Sequence, residues 1–133
     1  RDVAPSRGLG DVYKRQGYSV IYFTAFQLFD ILSKGVFEKD ADAIAAHQNI
    51  FDCDLLIIDD LGTELSNSFT TSQLFLCVNE RILRRKSTII STNLNLEQIA
   101  EIYSERTLSR ISSNYSFIKL FGDDIRIKKR LSK

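Results

Sequence analysis

From Gly17 onward the chain repeats one unit: a short apolar run, a polar tip, then the start of a helix. Ser19-Val20-Ile21-Tyr22-Phe23 is β-branched and aromatic, too short and too uniformly apolar for an amphipathic surface helix. It ends at Thr24, and Thr24-Ala25-Phe26-Gln27 has the spacing of a capping box, predicting a helix to about Ser33 with Gly35 as its stop. Asp54-Leu55-Leu56-Ile57-Ile58 is a second run, ending in Asp59-Asp60. Ser87-Thr88-Ile89-Ile90-Ser91-Thr92 is a third, tipped by Asn93 and followed by a second capping box at Asn95-Leu96-Glu97-Gln98. Ser116-Phe117-Ile118-Lys119-Leu120-Phe121 is a fourth, closed by Gly122. Runs of this kind, roughly 30 residues apart with helical pattern between them, predict an α/β fold with a parallel sheet whose strands are buried on both faces.

A parallel sheet gathers the carboxyl ends of its strands on one edge, where ligands bind. Thr24, Asp59, Asp60, Thr92 and Asn93 all fall there, which puts two carboxylates, an amide and two hydroxyls on one rim. That chemistry suits Mg²⁺ with a phosphate ligand. Four apolar strand residues followed by two acids fit a Walker B motif, in which Asp59 holds hydrated Mg²⁺ and Asp60 polarises the attacking water. The alternative is a strand ending in a solvated Asp-Asp turn before Gly62. Asn93 on the next tip can orient that water, the sensor-1 role; taken alone, an Asn after a strand is a turn residue or a cap.

Further along, Leu96, Ile99, Tyr103 and Ile111 mark the apolar stripe of a helix, with Arg106 and Arg110 as i,i+4 neighbours on it. These guanidiniums either pair with Glu101 or Glu105 or reach a phosphate. Arg81, Arg84, Arg85 and Lys86 read as a solvated helix end, with DNA phosphates as the other reading, and Lys128-Lys129-Arg130 reads the same way. Tyr115, Phe117 and Phe121 follow strand pattern and read as core.

Composition changes this picture little. The 133 residues are 44% hydrophobic and 26% charged, one domain's worth at most. Cys53 and Cys77, in a chain without a secretory or transmembrane run, read as buried reduced thiols of a cytoplasmic protein. His47 has no ligand partner at metal spacing and reads as a surface or loop residue. Residues 1–16 stand apart. Ser6 to Gln16 back-translates codon by codon into a transposase-type sequencing adapter ending in a mosaic-end repeat, so 1–16 are expected to be an artefact without packing partners. Setting them aside removes Arg1, Arg7, Lys14 and Arg15 against Asp2 and Asp11, and turns the net charge from +1 to −1. Gly8-Leu9-Gly10 is then no phosphate fingerprint, lacking both the later glycine and the preceding strand.

Four segments resemble the DnaC/DnaI helicase-loader family of AAA+ ATPases in order and spacing: Asp54 to Glu64, Ser87 to Leu94, Ser104 to Ile111, and Gly122 to Arg126. The resemblance covers about Gly17 to Lys133. It implies a partial P-loop NTPase domain over 17–133, a three-layer sandwich around a parallel sheet that lacks the first strand and the phosphate loop. It implies ATP and Mg²⁺ as cofactors. Asp59 matches the Mg²⁺ acid, Asp60 the catalytic acid, Asn93 sensor 1, Arg110 the arginine finger with Arg106 its neighbour, and Arg126 sensor 2. The implied partners are a replicative helicase, single-stranded DNA and further copies of the chain joined through the ATP site, with no membrane. The implied strand order places 54–58 between 19–23 and 87–92, with 116–121 apart or closing on the edge of 87–92.

The sequence departs from that family in one respect. No glycine-rich loop with Lys and Ser/Thr is present, and it is expected to precede Gly17, so this polypeptide alone is expected not to bind ATP usefully. Transposition helpers of the IstB type share the Walker B and sensor-1 regions and remain an alternative. So does a non-hydrolysing nucleotide-sensing module, because Asp60 stands where the wider superfamily commonly carries Glu.

Overall fold

The computed structural model describes residues 2–4, 11–15, 17–38, 40–64, 66–119 and 127–130. In chain order its elements are β1 (Asp2–Ala4), β2 (Asp11–Arg15), β3 (Tyr18–Thr24), α1 (Ala25–Phe37), α2 (Ala41–Asp52), β4 (Leu55–Leu61), α3 (Ser68–Leu83), β5 (Ser87–Thr92), α4 (Leu96–Tyr103), α5 (Glu105–Asn114), β6 (Ser116–Lys119) and β7 (Ile127–Arg130). The sheet order is β1-β2-β3-β4-β5-β7-β6. As the apolar runs predict, β3, β4 and β5 are parallel, and β4 lies in the middle as the family resemblance implies. The fold is thus α/β, a parallel three-stranded centre with helices. On one flank β2 pairs antiparallel with β3, and β1 with β2, so residues 2–4 and 11–15 have strand partners, against the expectation that 1–16 have none. The edge of β3 offers free backbone groups to any extended segment that precedes it.

The other flank departs from expectation. β7 pairs antiparallel with β5 at Ser91 and Thr92, and β6 pairs antiparallel with β7. The run at 116–121 therefore neither stands apart nor lies on β5, because a hairpin return interposes Ile127–Arg130. Within β6, Phe117 is 40% exposed rather than core, whereas Tyr115 just before it packs against the core. Phe121 and Arg126 lie outside the described residues.

Register explains which face is covered. Ile21, Leu56 and Thr88 align across the centre, as do Phe23, Ile58 and Ile90, and all six are buried. Leu28, Ile31, Leu32, Ile50, Leu74 and Val78 from α1, α2 and α3 complete this core. Val20, Tyr22, Leu55, Ile57 and Ile89 occupy the opposite face by the two-residue alternation of strands, and they are only half-buried. Burial on both faces, as the apolar runs suggest, is realised on one.

The helices begin as their side chains dictate. Thr24 Oγ1 accepts the Gln27 amide N–H at 3.2 Å while Gln27 Oε1 accepts that of Thr24 at 3.0 Å, and Asn95 and Gln98 make the same reciprocal pair. Caps of this sort contribute about 1 kcal/mol each. Gly35 does not stop α1, which runs on to Phe37. Its role is close approach: a Cβ there would lie 2.6 Å from His47 Cβ on α2. His47 is accordingly a half-buried helical residue stacked near Phe51 (ring centroids 5.2 Å apart), its pKa lowered by burial, and not a loop histidine.

The basic run also divides. Arg81 is fully buried. Its Nε donates to Thr88 Oγ1 (2.9 Å), Nη1 to the Ile50 carbonyl (2.8 Å) and Cys53 Sγ (3.4 Å), and Nη2 to the Ser87 carbonyl (2.7 Å). Arg84 pairs with Asp52 and Glu80, and Lys86 with Asp54. Both cysteines are free and buried, and burial raises both thiol pKa values, that of Cys77 to about 12. Finally, the single stripe from Leu96 to Ile111 is two helices. They break at Ser104, whose φ of 132° is outside the range of ordinary L-residues.

Candidate functional site

The centre of the site is a β-bulge. β4 and β5 stay in register through Ile58↔Ile90 and resume at Leu61↔Thr92, so Asp59 and Asp60 together oppose the single residue Ser91. Two residues against one is the defining count of a bulge, and bulges re-aim side chains beside active sites. A regular strand would send neighbouring acids to opposite faces; here Asp60 takes φ 57°, the left-handed region that Asp tolerates better than most residues.

Hydroxyl groups replace the ladder bonds that the bulge removes. Ser91 Oγ donates to Asp59 Oδ1 and accepts the Asp60 N–H at 3.2 Å. Thr92 Oγ1 donates to the Leu61 carbonyl at 2.5 Å and accepts the Leu94 N–H at 3.1 Å. The Asp60 carbonyl accepts from Thr63 Oγ1 at 2.8 Å. On the other side Tyr22 O–H donates to Asp59 Oδ2 at 2.5 Å. Tyr22, Asp59 and Ser91 share the half-buried face by register. The Asp59 carboxylate thus receives one hydroxyl from each neighbouring strand, which fixes its plane.

The turn after the bulge is equally constrained. Gly62 has φ 104°, and a Cβ there would come within 2.7 Å of Leu94, so this position requires glycine on both counts. Its N–H donates to Glu64 Oε1 at 3.0 Å, and the other oxygen of Glu64 accepts from Tyr103 O–H at the end of α4. Burial, reinforced by the Glu64 carboxylate, raises the Tyr103 pKa well above the phenol range.

The rim anticipated from the sequence is assembled. Thr24 aligns with Asp59, and Leu61 with Thr92. Asn93 is exposed one residue beyond Thr92 and lines a cavity of about 370 Å³ together with Asn95, Leu96, Phe117 and Lys119. Arg106 and Arg110 are carried instead by α5, which packs against α3 and α4. Arg106 is exposed, its Cζ 4.0 Å over the Phe75 ring. The Arg110 Nε is buried without a hydrogen-bond partner among the described residues. Among those residues neither arginine forms an ion pair, so the pairing with Glu101 or Glu105 is not made. Tyr22 and Ser91 escape the sequence reading. The usable signal was parity: each stands two residues before the rim position on its own strand.

The donors around the bulge are all oxygen. Among the described residues no group of three or more His, Cys, Asp or Glu could hold a metal. One or two carboxylates without a closed cage is the donor set of Mg²⁺, which keeps several waters and shares its ligation with substrate phosphates. Asp59 and Asp60 fit that ion and do not fit a structural zinc site. Among the described residues no helix is long and apolar enough to cross a membrane.

The profile described as IstB-like ATP binding protein matches residues 6–132. No curated protein matches the chain.

Proposed function

We propose, for a chain that belongs to the IstB-like ATP-binding family of AAA+-type proteins, that its bulged acid pair serves Mg²⁺-dependent ATP hydrolysis in the full-length protein. The observation that carries this is the bulge itself, which sets two consecutive carboxylates against one strand tip, beside Asn93. Asp59, held by two hydroxyls, is suited to bind hydrated Mg²⁺, and the ion supplies charge neutralisation at the phosphates when bound. Asp60 is suited to accept a proton from the attacking water, and Asn93 to orient that water. Arg110, with Arg106 beside it, is assigned to the phosphate of a neighbouring copy, and Arg126 to the chain's own nucleotide.

The work coupled to hydrolysis is loading a replicative helicase onto single-stranded DNA in the cytoplasm, supported by the order and spacing of the four motif segments. The family description favours a second reading, a transposition helper acting on a transposase. Phosphate release by the full-length protein tests the chemistry. Asp60→Asn is expected to keep ATP affinity within about threefold while turnover falls by about 10²–10⁴, the contribution of a positioned general base. Undiminished turnover rejects the assignment. Co-elution of the full-length protein with the replicative helicase, rather than with a transposase, separates the two roles.

A further inference from the structure

Ser91 does more in this structure than a strand hydroxyl needs to. It is 6% exposed, stands on the strand neighbouring the acids, and uses its one hydrogen and a lone pair on two different residues of the same bulge. We propose that Ser91 is a positioning residue of the hydrolytic site, holding the side chain of Asp59 and the backbone of Asp60 in one arrangement through a single oxygen.

An inserted residue leaves a backbone N–H without its ladder partner, and a buried donor left so is unfavourable. Here that N–H belongs to Asp60, and Ser91 Oγ accepts it. Accepting there orients the Ser91 hydrogen elsewhere, and it is donated to Asp59 Oδ1. The two acids are therefore mechanically linked: the left-handed turn at Asp60 and the carboxylate plane of Asp59 both refer to one oxygen on β5. Thr92, next along β5, fixes Leu61 on the far side of the bulge. The residue after Thr92 is Asn93, so a displacement of the β5 tip is carried to both acids through the Ser91 hydroxyl. Tyr22 holds the remaining oxygen of Asp59 from β3 and closes the frame.

This rests on the reading of the site as one for Mg²⁺ and nucleotide, and the test separates the two. In the full-length protein, Mn²⁺ is titrated in the presence of ADP and the free ion is followed by electron paramagnetic resonance, which reads metal binding without turnover. Ser91→Ala is expected to weaken Mn²⁺ binding about tenfold, the scale of one lost hydrogen bond to a charged group. Ser91→Thr, which keeps the hydroxyl, is expected to return it to within about twofold of wild type. Asp59→Asn is the reference for the site. If it abolishes Mn²⁺ binding while Ser91→Ala matches wild type, Ser91 is not a positioning residue although the site stands. If Asp59→Asn itself matches wild type, the metal reading fails first. Should Ser91→Ala not fold, Ser91→Cys keeps the volume with a weak donor; the same tenfold loss is expected, and wild-type affinity overturns the proposal.

Discussion

Arg81 carries a heavy polar burden for one fully buried side chain. One guanidinium satisfies two carbonyls, a hydroxyl and a thiol sulfur, binding the end of α2, the last turn of α3 and the start of β5 to one another. All four contacts go to neutral atoms, so the arrangement depends on the fork geometry of the group and not on charge pairing. Lys at this position keeps the charge but offers a compact ammonium that cannot reach acceptors spread around a planar fork. Arg81→Lys is therefore expected to destabilise the fold by about 2–4 kcal/mol, with at least two acceptors left unsatisfied. Urea denaturation checks this as a lower midpoint with unchanged slope; an unchanged midpoint shows that water replaces the lost donors. In sequence Arg81 opens a cationic run and looks solvated. The contrary signal is its spacing: Leu74, Cys77, Val78 and Arg81 stand at i, i+3, i+4 and i+7, the buried stripe of α3. Composition argued for the surface, periodicity for the core, and periodicity describes the fold.

At the scale of elements, the break between α4 and α5 sets the direction of both candidate arginines. Ser104 joins the two helices with φ 132° and ψ 158°, a conformation natural only to glycine, while its Oγ caps α5 by accepting the Thr107 N–H at 3.2 Å. Strain and cap oppose one another, which makes the sign of substitution diagnostic. Ser104→Gly relieves about 1–3 kcal/mol of backbone strain and loses a few tenths in the cap, offset further by about 0.4–1 kcal/mol of added unfolded-state freedom. The net expectation is a stabilisation of about 1 kcal/mol. Ser104→Ala keeps the strain and removes the cap, so it is expected to destabilise by about 1 kcal/mol. Thermal melting of the pair gives shifts of opposite sign; shifts of the same sign refute the assigned strain. Neither Gly nor Pro marks this break, which is why the stripe from Leu96 to Ile111 reads as continuous. The three central strands were legible because they are apolar and face a helical layer. β7 was not, because Ile127-Lys128-Lys129-Arg130 has the composition of an exposed edge. The two acids were legible as a motif, but the bulge that aims them was not, since register is a property of two strands together.

For the molecule as a whole, the acids and the arginines sit on different elements, and this separation has a consequence for catalysis. Asp59 and Asp60 are fixed to the carboxyl end of β4 by β3 and β5. Arg106 and Arg110 ride on α5, which is packed on α3 and α4, and Arg106 is held exposed by stacking on Phe75. Under the proposed function, the Arg110 guanidinium of one copy is assigned to the phosphate site of another. In the full-length protein, hydrolysis is then expected to need Asp59, Asp60 and Asn93 from one subunit and Arg110 from its neighbour. Arg110→Ala should retain ATP binding and lose about 10³–10⁵ in turnover, the contribution of an arginine finger. Asp60→Ala should also be inactive, for a different reason. Because each inactive variant keeps the part that the other lacks, mixed assemblies contain interfaces with an intact acid facing an intact arginine. Mixing the two is expected to restore part of the activity, and the recovery should rise with protein concentration as subunits associate. Normal turnover by Arg110→Ala alone reduces that arginine to a surface charge. Two inactive variants that gain nothing on mixing, at concentrations where mixed oligomers are shown to form, place the arginine in the same subunit as the acids it serves.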